Sequence, residues 1–155
     1  MAKDRLLLWM RSGAVATKRD TPHAMSADNV GIVREVIAAY SGTGKIREDL
    51  IDPDIEVWES TELPGELAGS GHGALVRAKE TISESFEEWA IEPERFFDLG
   101  ERILVFVAVQ MKGRGSGAPA GGQLAYLFTL RDGKVTEWGL FGDRSKALEA
   151  AGLSE

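Results

Sequence analysis

The sequence contains no cysteine and only two histidines, His23 and His72. Without cysteine there are no disulfides, no thiolate chemistry and no cysteine-based metal sites, and two histidines make a histidine-rich metal site implausible. No run of apolar residues is long enough to cross a bilayer, so we expect no membrane partner. Basic residues are also few, with 18 Lys and Arg against 25 Asp and Glu. Because phosphate binding needs a basic surface, we expect no nucleic-acid partner.

The composition is that of an ordinary globular protein. The 155 residues are 43% hydrophobic and 28% charged, and this length and apolar content suffice for one domain with a buried core. We also predict a cytoplasmic protein. Charge divides unevenly, because residues 1–27 carry five basic residues against two acidic ones. Their one apolar cluster, Leu6 to Met10, is too short for a signal peptide. We therefore predict a flexible N-terminal extension over 1–27 and a single domain over 28–155.

The spacing of apolar residues predicts helices in the first half of the domain. A first helix is expected to end at Tyr40, with Ser26 or Asp28 as its N-terminal cap. Residues 45–50 predict a short second helix. A third helix is predicted over 75–89, with Pro93 marking its exit, because Leu75, Lys79, Ile82, Phe86 and Trp89 follow one another at alternating steps of four and three. We expect its apolar face to pack on the sheet.

The second half of the domain predicts an antiparallel sheet. Strands are expected over 55–59, 103–112, 123–131 and 134–142, with another beginning near Phe96 and a C-terminal helix over 145–151. Asp132-Gly133 supplies the positive-φ residues of a tight hairpin between the last two strands. The alternating residues Val105, Val107 and Val109 predict a flat apolar patch on the exposed side of the sheet, suited to a dimer interface.

Several short motifs carry a family resemblance through their order and spacing. They are Asp52-Pro-Asp-Ile-Glu, Gly71-His-Gly, Phe86-Glu-Glu-Trp, Glu92-Pro-Glu, Gly113-Arg-Gly-Ser-Gly, Leu130-Arg-Asp-Gly-Lys-Val, Phe141-Gly-Asp-Arg and Ala147-Leu-Glu-Ala-Ala-Gly-Leu. Over some 125 residues, the chain resembles the SnoaL-like branch of the nuclear transport factor 2-like superfamily, which is related to ketosteroid isomerase.

The resemblance implies an α+β fold, a cone-shaped barrel in which a curved antiparallel sheet wraps around N-terminal helices. It also implies a pocket between the concave face of the sheet and the helices, a hydrophobic small molecule as partner, no cofactor, and a homodimer. Relatives include ketosteroid isomerase, scytalone dehydratase, limonene-epoxide hydrolase and polyketide cyclases, and many relatives have no known activity. A shared fold does not transfer a function.

Aromatic residues are the best candidates for the pocket lining, although aromatic side chains fill cores equally well. On the last strand, Trp138 alternates with Phe141, so only one of them faces the pocket unless Gly139 marks a bulge. The candidates are Tyr40, Trp58, Trp89, Tyr126, Phe128, Trp138 and Phe141.

Candidate catalytic residues are few. Glu56 and Glu59 lie on opposite faces of the first strand, so at most one of them can face inward as a general base. The resemblance to SnoaL-like cyclases, which use an acid–base Asp without metal or cofactor, makes Asp143 and His72 the nearest counterparts. Asp143 has a plain alternative, because an Asp at the start of the last helix caps exposed amides. The oxyanion pair of ketosteroid isomerase has no clear counterpart.

Two functions remain open at this point. The first is a cofactor-free isomerase, cyclase or dehydratase that transfers a proton on a hydrophobic cyclic substrate. Its candidate base is Glu56 or Glu59, with His72, Tyr126 and Asp143 as polar assistants. The second is a non-catalytic ligand-binding or dimerisation module, in which the same pocket holds a ligand or is packed shut.

Overall fold

The structure is a computed structural model that describes residues 24–153. Its helices and strands are α1 (Ala24–Tyr40), β1 (Ile51–Glu59), β2 (Gly69–Ser70), α2 (His72–Ser85), β3 (Phe86–Asp98), β4 (Arg102–Gly113), β5 (Pro119–Arg131), β6 (Lys134–Phe141) and α3 (Arg144–Ala150). Most of the predicted extension over 1–27 lies outside the described residues. Helix α1 begins at Ala24, before both of the predicted caps.

The six strands form one mixed sheet in the order β2-β1-β6-β5-β4-β3. All neighbouring strands are antiparallel except β1 and β6, which run parallel. The sheet is open, with β2 and β3 at its two edges. The α+β class is therefore confirmed, while the sheet is neither closed nor purely antiparallel.

The predicted hairpin between β5 and β6 is present. Asp132 and Gly133 have φ values of 52° and 78°, which two-residue turns between twisted strands require. The turn brings Arg131 opposite Lys134 and sets the pairing of the two strands, with one register shift at Thr129 and Leu130. Local turn chemistry was sufficient to predict this connection.

The two faces of the sheet pack against different helices. On the inner face, residues of α1 and α2 form the main core together with alternate residues of the strands. On the outer face, Ala147 and Leu148 of α3 pack against a second cluster that includes Leu104 and Phe141. The predicted exposed patch of Val105, Val107 and Val109 is wrong, because all three side chains are buried in the inner core.

The structure also corrects two predicted helices. Residues 45–50 contain only turns and irregular backbone, because so short a segment has little cooperative stability as a helix. Helix α2 ends at Ser85, and Phe86 begins the long edge strand β3. Trp89 pairs there with Met111 of β4. Pairing along β4 therefore overrides the helical spacing of the apolar residues.

Proline also falls inside β3. Pro93 pairs with Val107 of β4, and the register shifts between Pro93 and Arg95. An edge strand tolerates proline because one side of it needs no backbone donor, and bulges are common at such positions. Pro93 was predicted to separate a helix from a strand, whereas it lies within a single strand.

Candidate functional site

A cavity of about 100 Å³ lies between α2 and the inner face of the sheet. The loop between β1 and β2 also contributes to its wall. The cavity is lined by Tyr40, Val57, Leu67, Leu75, Ala78, Ile82, Trp89, Ile91, Val109, Met111, Leu124, Tyr126, Trp138 and Leu140.

Strand alternation explains how the sheet supplies most of this lining. Trp89 and Ile91 lie two residues apart on β3, as do Trp138 and Leu140 on β6, so each pair shares a face. On α2, Leu75, Ala78 and Ile82 recur at steps of three and four and form one stripe that faces the sheet. The apolar faces of strands and helix therefore converge on one space.

Tyr40 connects the end of α1 to α2. Its hydroxyl donates a hydrogen bond to the Leu75 carbonyl at 2.6 Å. Its ring makes edge contacts with Trp89 and Trp138, with centroid distances of 5.6 and 5.5 Å. A third edge contact joins Trp138 to Tyr126 at 5.5 Å. These contacts fix four aromatic rings against one another around the cavity.

The cavity wall carries few polar groups. Burial raises the pKa of both Tyr40 and Tyr126 well above 10, so both phenols are neutral at physiological pH. The Tyr126 hydroxyl has no hydrogen-bond partner among residues 24–153, and neither has the buried indole Nε1 of Trp138. Neutral donors in an apolar wall suit an uncharged ligand better than an ion.

The predicted aromatic lining divides between the two faces of the sheet. Tyr40, Trp89, Tyr126 and Trp138 line the cavity. Phe128 lies on the same inner face but beyond the cavity wall, packed against Trp138 at a centroid distance of 4.9 Å.

Trp58 and Phe141 lie on the outer face instead, with ring centroids 5.4 Å apart. The Trp58 indole donates to Glu137 at 3.1 Å. Gly139 makes room for this arrangement, because a Cβ there would lie 2.2 Å from the Trp58 ring. The register shows no bulge at Gly139, so Trp138 and Phe141 lie on opposite faces, and packing against the helices places Trp138 on the inner one.

The two glutamates of β1 point to opposite sides, as their spacing predicts. Glu56 is exposed on the outer side and accepts a hydrogen bond from the Ser70 hydroxyl at 2.7 Å. Glu59 is the last residue of β1. Its carboxylate accepts hydrogen bonds from the amides of Gly65 and Leu67 at 3.0 and 2.6 Å. Glu59 therefore holds the β1–β2 loop, and neither glutamate belongs to the cavity lining.

The other two candidate catalytic residues also lie outside the cavity lining. His72 is the first residue of α2, and its Nε2 is 3.0 Å from the Ile51 carbonyl oxygen. Asp143 precedes α3 and accepts a hydrogen bond from the Ser145 amide at 2.8 Å. Asp143 is thus the helix cap that the sequence offered as its alternative role.

The aliphatic part of the lining was missed in the sequence. Leu75 and Ile82 were expected to face the sheet, but nothing in their spacing distinguished a cavity from a packed core. Leu67 lies in a loop without periodicity, so no sequence signal pointed to it. Val57 alternates with Glu56 on β1, so its apolar side chain could have been assigned to the inner face from the sequence, and the structure shows it buried there.

Within residues 24–153, no group of three or more His, Cys, Asp or Glu side chains converges as a metal site would require. The same residues include no helix that is long and apolar enough to span a membrane. In the described lining of the cavity there is no carboxylate and no imidazole. The arrangement is an apolar cavity, and the polar side-chain groups of its described lining are limited to phenol and indole.

Comparison with known protein families found no matching family model, and no curated protein matched the chain in sequence. Solved structures do match. A nuclear transport factor 2-like protein of unknown function from Burkholderia pseudomallei is 20% identical, with a TM-score of 0.60 over 79% of this chain and 95% of the other.

Two further structures agree. A protein assigned to the SnoaL-like polyketide cyclases, from a Jannaschia species, is 18% identical, with a TM-score of 0.65 over 87% of this chain and 99% of the other. TerC, co-crystallised with polyporic acid, is 19% identical, with a TM-score of 0.61 over 81% of this chain and 98% of the other. The expected nuclear transport factor 2-like fold is therefore confirmed. Identities this low establish the fold alone.

Proposed function

We propose that this chain binds a hydrophobic ring compound in the cavity between α2 and the inner face of the sheet. The observation that carries the proposal is the cavity wall, where four aromatic rings and a set of aliphatic side chains surround about 100 Å³ of space. Ligand sites are typically concave, mostly apolar and equipped with a few polar groups, as this one is. The match to TerC, co-crystallised with polyporic acid, supports a small-molecule role for the fold.

The geometry favours ligand binding without acid–base catalysis by the four candidate catalytic residues, which are Glu56, Glu59, His72 and Asp143. Each of these four side chains contacts backbone or side-chain groups elsewhere, and none lines the cavity. A general base must come within hydrogen-bond distance of the proton that it removes. These positions do not meet that requirement for a ligand in the cavity.

A cofactor-free isomerase, cyclase or dehydratase is the second candidate, and Tyr126 is the observation in its favour. Its hydroxyl has no hydrogen-bond partner among the described residues, and its raised pKa keeps the proton in place for donation to a developing oxyanion. If turnover of any ring compound is found, Tyr126→Phe is expected to reduce kcat. Glu56→Gln, on the outer face, is expected to leave kcat unchanged.

The binding proposal is tested by thermal unfolding in the presence of uncharged ring compounds, including steroids, aromatic polyketides and terpenoid epoxides. A ligand at a hundredfold excess over its Kd stabilises the fold by about 2.7 kcal/mol. For a chain of this size, that corresponds to a Tm increase of roughly 5–10 °C.

The matched control is a pair of variants on α2. Ala78 is buried against the cavity, whereas Val76 is 45% exposed on the other side of the same helix. Ala78→Phe is expected to fill the cavity and abolish the ligand-induced Tm increase, and Val76→Phe should preserve it. An increase that survives Ala78→Phe would place the ligand elsewhere, and the absence of any Tm increase would contradict the proposal.

A further inference from the structure

The cavity is less enclosed at one end than at the other. Along β5, Tyr126 is buried, Leu124 is half-buried and Gly122 is exposed. The same change occurs on the neighbouring strand β4, where Val109 is buried and Met111 is half-buried. Because β4 and β5 are antiparallel, Met111 and Gly122 lie at the same end of the two strands. The strands therefore leave the cavity open towards the β4–β5 hairpin.

Helix α2 shows the same change towards its C-terminal end, where Ala78 is buried and Ile82 is half-buried. That end is joined to the β4–β5 turn by Arg114, which directly follows β4. Its guanidinium donates to the Ser83 carbonyl at 2.9 Å and to the Phe86 carbonyl at 3.4 Å. The opening therefore lies between the end of α2 and the β4–β5 hairpin. We call it the cavity mouth; it is bordered by Gly122 and by Ile82, Met111 and Leu124 of the lining.

Gly122 points into the cavity mouth. It pairs with Val109, which lines the cavity, and the side chains of paired residues project from the same face of a sheet. Two residues further along β5, Leu124 lines the cavity as well. A Cβ placed on Gly122 would have no atom within 4 Å apart from its own residue and its two neighbours in the chain. A side chain at this position would therefore project into open space beside the cavity lining.

Nothing in the described part of the chain requires glycine at position 122. The backbone of Gly122 does not have the positive φ that favours glycine. Its neighbour Gly121 differs, because it has a φ of 132° and a Cβ there would lie 2.0 Å from the Val109 carbonyl oxygen. Glycine inside a strand weakens that strand, since it has no side chain to pack. The effect of glycine at position 122 is thus to keep the cavity mouth open.

We propose that Gly122 determines ligand specificity at the cavity mouth, because it admits a molecule that is longer than the cavity. Such a ligand has an apolar ring inside the cavity and an unbranched aliphatic tail that passes over Gly122 to a polar end group in water. The described lining contains no charged side chain, so the polar end group belongs outside the cavity. This inference rests on the proposed binding function and specifies the shape of the ligand for the same site.

Tail length is tested with phenylethanol, phenylbutanol and phenylhexanol, each with its hydroxyl at the end of the tail. The three probes share one ring and one polar end group, and they differ only in the number of methylenes between them. Since each methylene that leaves water contributes to binding, we expect the Kd to fall by about 2- to 4-fold for each one added. Isothermal titration calorimetry measures the three Kd values.

Gly122→Leu tests the position itself. The leucine side chain would occupy the cavity mouth, so the Kd of phenylhexanol is expected to rise by about tenfold or more through the loss of several methylene contacts. The Kd of phenylethanol, whose tail is short, should stay nearly unchanged. The matched control is Gln123→Leu, at the next residue of β5, which is exposed on the outer face. This variant should leave both Kd values unchanged.

A second readout uses the absence of cysteine from the chain, which allows a single thiol to be introduced. The thiol of Gly122→Cys is expected to react with a maleimide reagent at the open mouth. Phenylhexanol at about ten times its Kd should slow this reaction by about tenfold, and phenylethanol at the same multiple of its own Kd should slow it little. The control is Gln123→Cys, whose thiol on the outer face should react at the same rate with and without either probe.

The outcomes separate the two proposals. If phenylethanol binds but the longer probes bind no more tightly, or if Gly122→Leu weakens all three equally, the role of Gly122 is wrong and the binding function stands. If none of the three binds while a compound of the thermal unfolding series does, the ligand shape is wrong and the binding function again stands. If no compound of either set binds, both proposals fail. Should Gly122→Leu not fold, the Gly122→Cys thiol decides the question, and a thiol that phenylhexanol leaves unprotected overturns the proposal.

Discussion

At the scale of single residues, burial determines the protonation state of the two tyrosines. The chain has only two tyrosines, Tyr40 and Tyr126, and both line the cavity. Removal from water disfavours the charged phenolate, which raises the pKa of both above the usual value of 10. The proximity of Tyr40 adds to the increase for Tyr126. Both phenols are therefore neutral at physiological pH and well into the alkaline range.

This predicts an unusual alkaline titration. Because the folded pKa of each phenol lies above its unfolded value, the associated stability is complete below about pH 10 and declines as the pH rises further. We expect no tyrosinate absorbance at pH 10–11 as long as the near-ultraviolet circular dichroism is native, and a sudden increase when the protein unfolds. Half-ionised tyrosine near pH 10 in a protein with native circular dichroism would contradict the assigned burial.

At the scale of elements, the β1–β2 loop (residues 60–68) forms one wall of the cavity. Carboxylates near the start of the loop hold it in place through hydrogen bonds. Glu59 accepts hydrogen bonds from the amides of Gly65 and Leu67, and Leu67 lines the cavity. Glu62 accepts from the Ser60 hydroxyl and the Gly142 amide and lies 3.6 Å from the Lys146 ammonium. The loop is therefore joined to the end of β6 and to α3.

The contacts of Glu62 predict an acid-sensitive loop. The Ser60 hydroxyl, the amides of Glu62 and Gly142 and the charge of Lys146 lower the pKa of Glu62 to about 2. A lowered pKa stabilises the folded state above the unfolded value of 4.5, and that stability is lost as the pH falls towards 2. We expect the Tm difference between wild type and Glu62→Gln to shrink over this range.

The control is Glu66→Gln, in the same loop. Glu66 is exposed and has no hydrogen bond or ion pair among the described residues. Its substitution should give a Tm difference that does not depend on pH over the same range. An equal pH dependence for both variants would show that general charge repulsion, and not the contacts of Glu62, controls the loop.

At the scale of the whole molecule, one sheet separates two apolar clusters. The inner cluster surrounds the cavity, and the outer cluster lies beneath α3. Phe97 and Phe106, on the outer face, pack with centroids 5.0 Å apart and are covered by the guanidinium groups of Arg95 and Arg144. Arg144 is also paired with Glu94 at 2.5 Å. The apolar side chains at this face are thus shielded by charged groups.

The homodimer implied by the family resemblance stays a prediction, and it now has to use a different surface. Since the Val105 patch faces the inner core, we expect a second copy to contact the outer face around Phe97 instead. We expect the wild type to sediment with twice the chain mass of 16.8 kDa. Phe97→Glu is expected to shift the measured mass towards that of a single chain. Val76→Glu, at an exposed position on α2, is the control. A single-chain mass for the wild type would exclude the dimer.

The sequence by itself determined most of the element order, the β5–β6 hairpin and the cap at Asp143. These features depend on short-range chemistry, such as the positive φ of Asp132 and Gly133 and the hydrogen bond from Ser145 to Asp143. The motif resemblance extended this to the fold, which the matching structures confirm. Strand alternation also showed correctly that Trp138 and Phe141 must face opposite sides.

Only the tertiary structure decided which side is which. Alternation relates neighbours on one strand, but burial of a face depends on which helix packs against it, and that contact is distant in sequence. Hence Trp138 lines the cavity while Trp58 and Phe141 lie on the other face. Trp89 likewise belongs to β3, because its pairing with β4 outweighs a helical spacing that is purely local.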